Sequence, residues 1–388
     1  MPLLSSVPAI AALLMAVMTS AILVSFCGVA ATTERFATID GLRGYLAFFV
    51  FLHHSCIWYF YLQTGIWDSP PIRLYAHMGE SSIMLFFMIT GFLFFGKILD
   101  GRKTPIDWGR LFVSRVLRLG PLYLLMLLML FLIVGIVSEF RLHVSIHELA
   151  TTAAQWLAFT IFDKPNLNGV SETNYIVAGV PWTLPYEWFF YFSLPLLGLL
   201  FRVTPPLRYL ALSVLCIWYL IWKQPYPTLL FPFFTGALAA RLVRIPRCRQ
   251  LAAGRIGTIT AIACFASVAT HYRTALAYPP LILLSVGFII VACGNTLFGI
   301  FLRPESRKLG EMAYSIYLLH GLLLFVTFHF ALGLTAAKSL SVSQFAMILI
   351  GLTPVLILLS NATFSLIERP SMQSVTPCTE WLRSFYRE

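Results

Sequence analysis

The sequence predicts an all-α, polytopic integral membrane bundle of ten core transmembrane helices plus an extra N-terminal helix. Its 388 residues are 59% hydrophobic and 11% charged, with a mean hydropathy of +0.82, whereas soluble domains carry roughly 25% charged residues. Apolar segments of about 17 to 24 residues alternate with charged or Pro-rich breaks, which suits helices crossing a hydrocarbon layer rather than the short strands of a barrel. The net charge of +11 falls in alternate breaks between segments, the pattern of membrane orientation and not of a nucleic-acid surface.

Residues 1–33 hold an apolar run over about 8–31 with no Lys or Arg ahead of it. A secretory signal opens with a positive segment, so this run is expected to be an additional helix with its N-terminus outside. The first core helix, over about 45–62, comes after Ile39-Asp-Gly-Leu-Arg-Gly44 and runs outward. Arg43 and His54 lie about three turns apart on one of its faces, about 16 Å along the axis. Ionisable groups within a span are costly and usually face the protein interior or a pathway, so this face is expected to line a channel. His53 falls on a different face.

A second span over about 81–99 returns to a loop holding Lys97, Arg102, Lys103, Arg110, Arg115 and Arg118, which the positive-inside rule makes cytoplasmic. The third span covers about 120–137. The apolar stretch 149–162 is expected to lie on the surface or re-enter, because a further crossing would invert every later basic loop. Later spans are expected at about 181–201, 209–222, 228–242, 256–271, 279–297, 312–332 and 345–366. On this map about 21 Lys and Arg, from Arg35 to Arg387, are cytoplasmic and about 6 are outside. The organisation expected is an extra helix at 1–33, one membrane domain at 34–371 and a cytoplasmic tail at 372–388. Seven scattered cysteines show no paired spacing, so neither a disulfide framework nor a metal site is expected.

Seven motifs occur in order: Ile39-Asp-Gly-Leu-Arg-Gly44 with His54; Leu85-Phe-Phe-Met-Ile-Thr-Gly-Phe92; Arg115-Val-Leu-Arg-Leu-Gly-Pro-Leu-Tyr123; Pro181-Trp-Thr-Leu-Pro-Tyr-Glu-Trp188; Phe231-Pro-Phe-Phe-Thr-Gly-Ala237; Leu309-Gly-Glu-Met-Ala-Tyr-Ser-Ile-Tyr-Leu-Leu-His320; and Ile367-Glu-Arg-Pro370. Over about 36–370 the sequence resembles acyltransferase family 3, bacterial membrane enzymes that O-acylate surface and exported glycans. It departs from them in the extra helix and in Leu-Pro-Tyr-Glu where the family commonly reads Leu-Ser-Val-Glu. The resemblance implies a cytoplasmic acyl-CoA donor, usually acetyl-CoA, and transfer to a sugar hydroxyl at or across the membrane.

Such transfer needs a base, oxyanion stabilisation and cations for the CoA phosphates. His54 is the candidate base, since histidine titrates near neutrality, and Glu187 is the carboxylate expected to orient its ring. The alternative for Glu187 is a structural ion pair. Arg115 and Arg118, three apart on one helix face, either hold donor phosphates with Arg43 or simply mark the inner surface. The resemblance favours the donor role. Trp182 and Tyr186 are candidates for contact with sugar or for interfacial anchoring. Tyr314, Tyr317 and His320 recur at three-residue steps and either line a cavity or pack between helices. Glu368 and Arg369 read as a helix-end ion pair.

The function expected is a membrane O-acyltransferase of the plasma (bacterial inner) membrane with a cytoplasmic C-terminus. Acetyl-CoA is its co-substrate, and no bound cofactor or metal is expected. Its partners are acyl-CoA, a carbohydrate acceptor and the lipid bilayer, with no nucleic acid and no protein partner. The alternative is a transporter or flippase of a lipid-linked saccharide or acyl donor, which also needs a polar path through many helices; the cytoplasmic arginine set argues against it, as does the lack of an internal repeat. A scaffold or sensor would leave the buried ionisable groups unexplained.

Overall fold

Helices account for the architecture, and among the described residues there is no β-strand. The computed structural model describes residues 5–28, 36–223 and 226–385; Arg35 and Arg387, expected in the inner set, lie outside them. In chain order the helices are α1 Val7–Cys27, α2 Ala37–Thr64, α3 Arg73–Asp100, α4 Trp108–Val137, α5 Ile146–Leu157, α6 Thr173–Ile176, α7 Leu184–Leu200, α8 Leu207–Lys223, α9 Pro227–Leu242, α10 Pro246–Ala253, α11 Arg255–His271, α12 Tyr278–Ala292, α13 Pro304–Glu311, α14 Ala313–Phe325, α15 Leu334–Lys338, α16 Val342–Thr363, α17 Arg369–Gln373 and α18 Val375–Ser384. Helices α14 and α16 run on into π-helical turns at Val326–Ala331 and Phe364–Glu368.

Among the described residues six helical runs are long and apolar enough to cross a membrane unaided: α1 to α4, Ala313–Ala331 and Val342–Gln373. The remaining expected spans are shorter helices. Seventeen residues, the length of α7, α8 and α11, reach about 25 Å at the α-helical rise. Helix α9 meets α10 at a bend of 105°. The 12 residues of α5 reach about 18 Å, too short to cross, in keeping with a surface helix.

Two boundaries differ from the sequence expectation in a way that matters. Helix α4 starts at Trp108, not near 120, because the Asp107 carboxylate caps it by accepting the Arg110 N–H at 3.0 Å. Arg115 and Arg118 therefore sit on the helix itself and not in a loop. Helix α2 likewise begins at Ala37 and carries Arg43 within it. An apolar run marks where a helix meets lipid, so it misses the turns whose polar side chains face a cavity.

Helices α2 and α3 form the centre, with α2 packed on α3, α13 and α14, and α3 crossing α9. At that crossing a Cβ on Gly236 would strike the carbonyl of Met88, and one on Gly91 the carbonyl of Phe233. Small residues permit the backbone approach that membrane helices rely on in place of hydrophobic drive. Helix α1 docks on α13 and α16 through Ala9, Ala12 and Ala16, and turns Ile10, Leu14 and Met18 outward. The C-terminal segment is helical as well: α18 lies on α4, where Arg383 pairs with Asp107 and Arg110 donates to Thr376 Oγ1 at 3.2 Å.

Candidate active site

A cavity of about 320 Å³ opens among α2, α3, α4, α7 and α14, with Arg43, Arg115, Arg118, Glu187, Tyr191 and Tyr317 on its walls. Helical spacing supplies two of the pairs. Arg115 and Arg118 stand one turn apart on α4, and Tyr191 comes one turn after Glu187 on α7, so its hydroxyl donates to Glu187 Oε2 at 3.2 Å. The charges that act on Glu187 are Arg43, Arg115 and Arg118. Glu187 is the one carboxylate among the residues lining the cavity, while Asp40 and Glu368 stand behind Arg43 and Arg118, so what the cavity offers an anion is guanidinium donors in a partly enclosed space, where such contacts are strong.

Each arginine is held differently. Arg115 lies over the Phe94 ring, 4.8 Å from its centroid, and its Nε donates to Ser114 Oγ at 3.3 Å. Arg43 approaches Asp40 at 3.9 Å. Arg118 stands 3.8 Å from Glu368 Oε2 and donates to Met372 Sδ at 2.7 Å. At 3.8 Å the Arg118 contact is an ion pair without a hydrogen bond. Glu368 is 1% exposed, and its other oxygen accepts from Ser315 Oγ, which in turn accepts from Thr363 Oγ1 at 2.9 Å. The expected Glu368–Arg369 pair is thus replaced: the π-helical turn swings Glu368 inward, while Arg369 stays exposed.

The histidines form a second station, away from this cavity. His54 Nδ1 lies 3.0 Å from His320 Nε2 and 3.1 Å from the carbonyl of Val50, while His320 Nδ1 lies 3.0 Å from the carbonyl of Ile316. Carbonyls only accept, so both Nδ1 atoms carry the proton in the neutral pair. His320 Nε2 then accepts from His54 Nδ1–H, and the His54 Nε2 lone pair is left free. His54 keeps 8% exposure and His320 none, so His54 is the more accessible member of the pair. The partner expected at His54 was Glu187; the structure puts His320 there and Glu187 among the arginines, because α7 presents Glu187 to the cavity face of α4.

Arg43 and His54 do share a face of α2, yet the cavity reaches Arg43 and stops short of His54. Tyr317 stands between the two stations: it lines the cavity, its ring centroid is 6.3 Å from that of His320, and its hydroxyl donates to the Val180 carbonyl at 3.1 Å and meets Thr183 Oγ1 at 2.8 Å. Tyr314 also lines the cavity and donates to the carbonyl of Leu119 at 2.9 Å. His53 is placed elsewhere, as its position on the helix requires, with Nδ1 2.8 Å from the Tyr75 carbonyl and its ring filling the space over Gly79. Trp182 and Tyr186 do not join the arginines. They line a separate cavity of about 640 Å³ with Trp188, Lys164 and Lys223, on the other side of α7.

Residues 36–361 match the family model described as an acyltransferase domain. The chain belongs to acyltransferase family 3. Comparison with curated proteins gave no match, nor did comparison with solved structures. This family 3 member is accordingly an acyltransferase, and a flippase reading has nothing further in its favour. Sequence reasoning missed the roles of Tyr191, Glu368 and His320. For Glu368 a signal was present: Pro370, two residues on, disfavours a regular helix there. For His320 the three-residue stripe with Tyr317 was visible, but nothing local identifies the helix it faces.

Proposed function

We propose that this acyltransferase carries an acetyl group from acetyl-CoA to a hydroxyl of a cell-surface or exported glycan. The single observation that carries the donor half is the cavity built from Arg43, Arg115 and Arg118 around one carboxylate, since guanidinium groups bind phosphate through strong charge-assisted hydrogen bonds. At about 320 Å³ it lies at the low end of ligand pockets, roughly 300–1,000 Å³, so it holds one segment of a long donor. In the reaction the thioester end of the donor extends past Tyr317 from the arginine cavity to the histidine pair, where His54 Nε2 takes the acceptor's hydroxyl proton as that oxygen attacks the thioester carbonyl. The tetrahedral oxyanion then collapses, the C–S bond breaks, and the imidazolium returns its proton to the CoA thiolate. The aromatic cavity at Trp182 and Tyr186 supports an acceptor that approaches from the far side of α7.

Purified protein given radiolabelled acetyl-CoA and glycan from cells lacking the gene should transfer label to the glycan, and those cells should lose O-acetyl groups from the same material. Unchanged glycan acetylation without the gene, together with no transfer in vitro, would sink the reading.

The basic end of the bundle is assigned to the cytoplasm, with the C-terminus on that side. Cys248 lies in α10 between Arg247 and Arg249 and is partly exposed. In a variant lacking the other cysteines, a membrane-impermeant thiol reagent should reach it only after the membrane is opened. Labelling of intact cells would reverse the orientation.

A further inference from the structure

A second opening of about 520 Å³ lies at the basic end of the bundle, between the end of α3 and the first turns of α4. Lys97, Asp100, Arg110, Ser114, Arg115 and Met372 are among the residues that line it. Arg115 and Met372 also line the arginine cavity, so those side chains are a wall common to the two spaces, an outer vestibule and an inner chamber. The charges of the vestibule are sorted. Asp100 is engaged by Arg244 at 2.7 Å and Asp107 by Arg383, two arginines that are not part of its lining. Lys97 and Arg110 form no ion pair among the described residues: Lys97 lies 5.1 Å from the centroid of the Phe94 ring, and Arg110 donates to Thr376 at 3.2 Å. The Phe94 ring thus carries Lys97 and Arg115 together, one facing outward and the other shared by both spaces. The acids are neutralised from outside while the cations keep their donors for a ligand, an arrangement that selects a polyanion.

We propose that this vestibule holds the 3′-phosphorylated adenosine end of the acyl donor, with Lys97 and Arg110 on that phosphate, while the diphosphate lies against Arg115 and its neighbouring arginines and the pantetheine arm continues into the inner chamber. The assignment rests on the acyl-CoA reading of the arginine cavity. It divides the donor between two sites, the outer phosphate of the nucleotide in the vestibule and the diphosphate with the arm on the arginine side, which matches an inner chamber too small for the whole molecule.

The test compares acetyl-CoA with S-acetylpantetheine, which carries the same thioester without the nucleotide, in wild-type protein and in the Lys97→Ala/Arg110→Ala double variant. Wild type should favour acetyl-CoA in kcat/KM, and the double variant should lose about tenfold or more of that preference, since two hydrogen bonds to charged phosphates are removed. Radiolabelled CoA binding to purified protein, measured in parallel, should weaken by a similar factor. A preference retained in full, with CoA binding unaltered in the variant, would overturn the vestibule and leave the acyl-CoA reading standing. Wild-type protein that binds no CoA would overturn both.

Discussion

Replacing His54 by alanine is expected to lower acyl transfer by about 10²–10⁴-fold, the range for loss of a general base, while CoA still binds. The proposed base lies outside the proposed donor cavity, since the arginine chamber does not reach His54, so the loss should fall on kcat and not on donor KM. His53→Ala should cost far less, because His53 is occupied by the Tyr75 carbonyl and by packing over Gly79. His320 is fully enclosed and acts through His54, which makes it a positioning residue. His320→Leu should lower kcat by about tenfold by removing the acceptor that, beside the Val50 carbonyl, orients the His54 ring, and His320→Gln, which offers a carbonyl oxygen, should restore part of the loss. Steady-state kinetics on protein shown to be folded separates these outcomes. An active His54→Ala enzyme beside a folded but inactive His53→Ala enzyme would defeat the assignment.

Arg118→Ala is expected to weaken CoA binding and also to destabilise the protein, whereas Arg115→Ala should do mainly the first. The difference lies in their partners. Arg115 rests on the Phe94 ring and donates to Ser114 Oγ, but Arg118 is the counter-ion of a buried carboxylate, Glu368. Leaving such a charge uncompensated typically costs about 3–5 kcal/mol. Pairing Arg118→Met with Glu368→Gln removes both charges, so the melting temperature should recover while CoA affinity stays low. Binding of CoA and thermal unfolding, both measured in detergent, decide the matter. Unaltered CoA affinity in Arg115→Ala/Arg118→Ala protein would return these arginines to the task of marking the inner surface.

Much of this was legible in the sequence because one-dimensional signals carry it. Apolar length gave the helices, and three-residue and eleven-residue spacings put Arg115 with Arg118, and Arg43 with His54, on common faces. Partners across helices were not legible. Spacing says which side chains of one helix point together, but not which neighbouring helix they meet, so Glu187 is expected at His54 and instead lines a cavity with Arg43, Arg115 and Arg118. The same limit hid the meeting of His54 with His320, residues 266 positions apart. Helix starts were misjudged for another reason: Asp107 and the polar first turns of α4 look like loop until a cavity is known to lie beside them.

The wide turn at Phe364–Glu368 gives Pro370 a task. In a regular helix its ring would collide with the carbonyl four residues back, at Leu366, and would leave that carbonyl without a donor. A π-helical turn fits one additional residue into the coil, which relieves the collision and at the same time shifts the angular phase of the helix beyond it. Each residue of a helix accounts for about 100° of rotation. Without that extra residue Glu368 would swing away from Ser315 and Arg118, and Met372 would leave the wall shared by the two chambers. The proline in Ile367-Glu-Arg-Pro370 therefore acts as a phase shifter, a backbone constraint that aims an acid two residues before it.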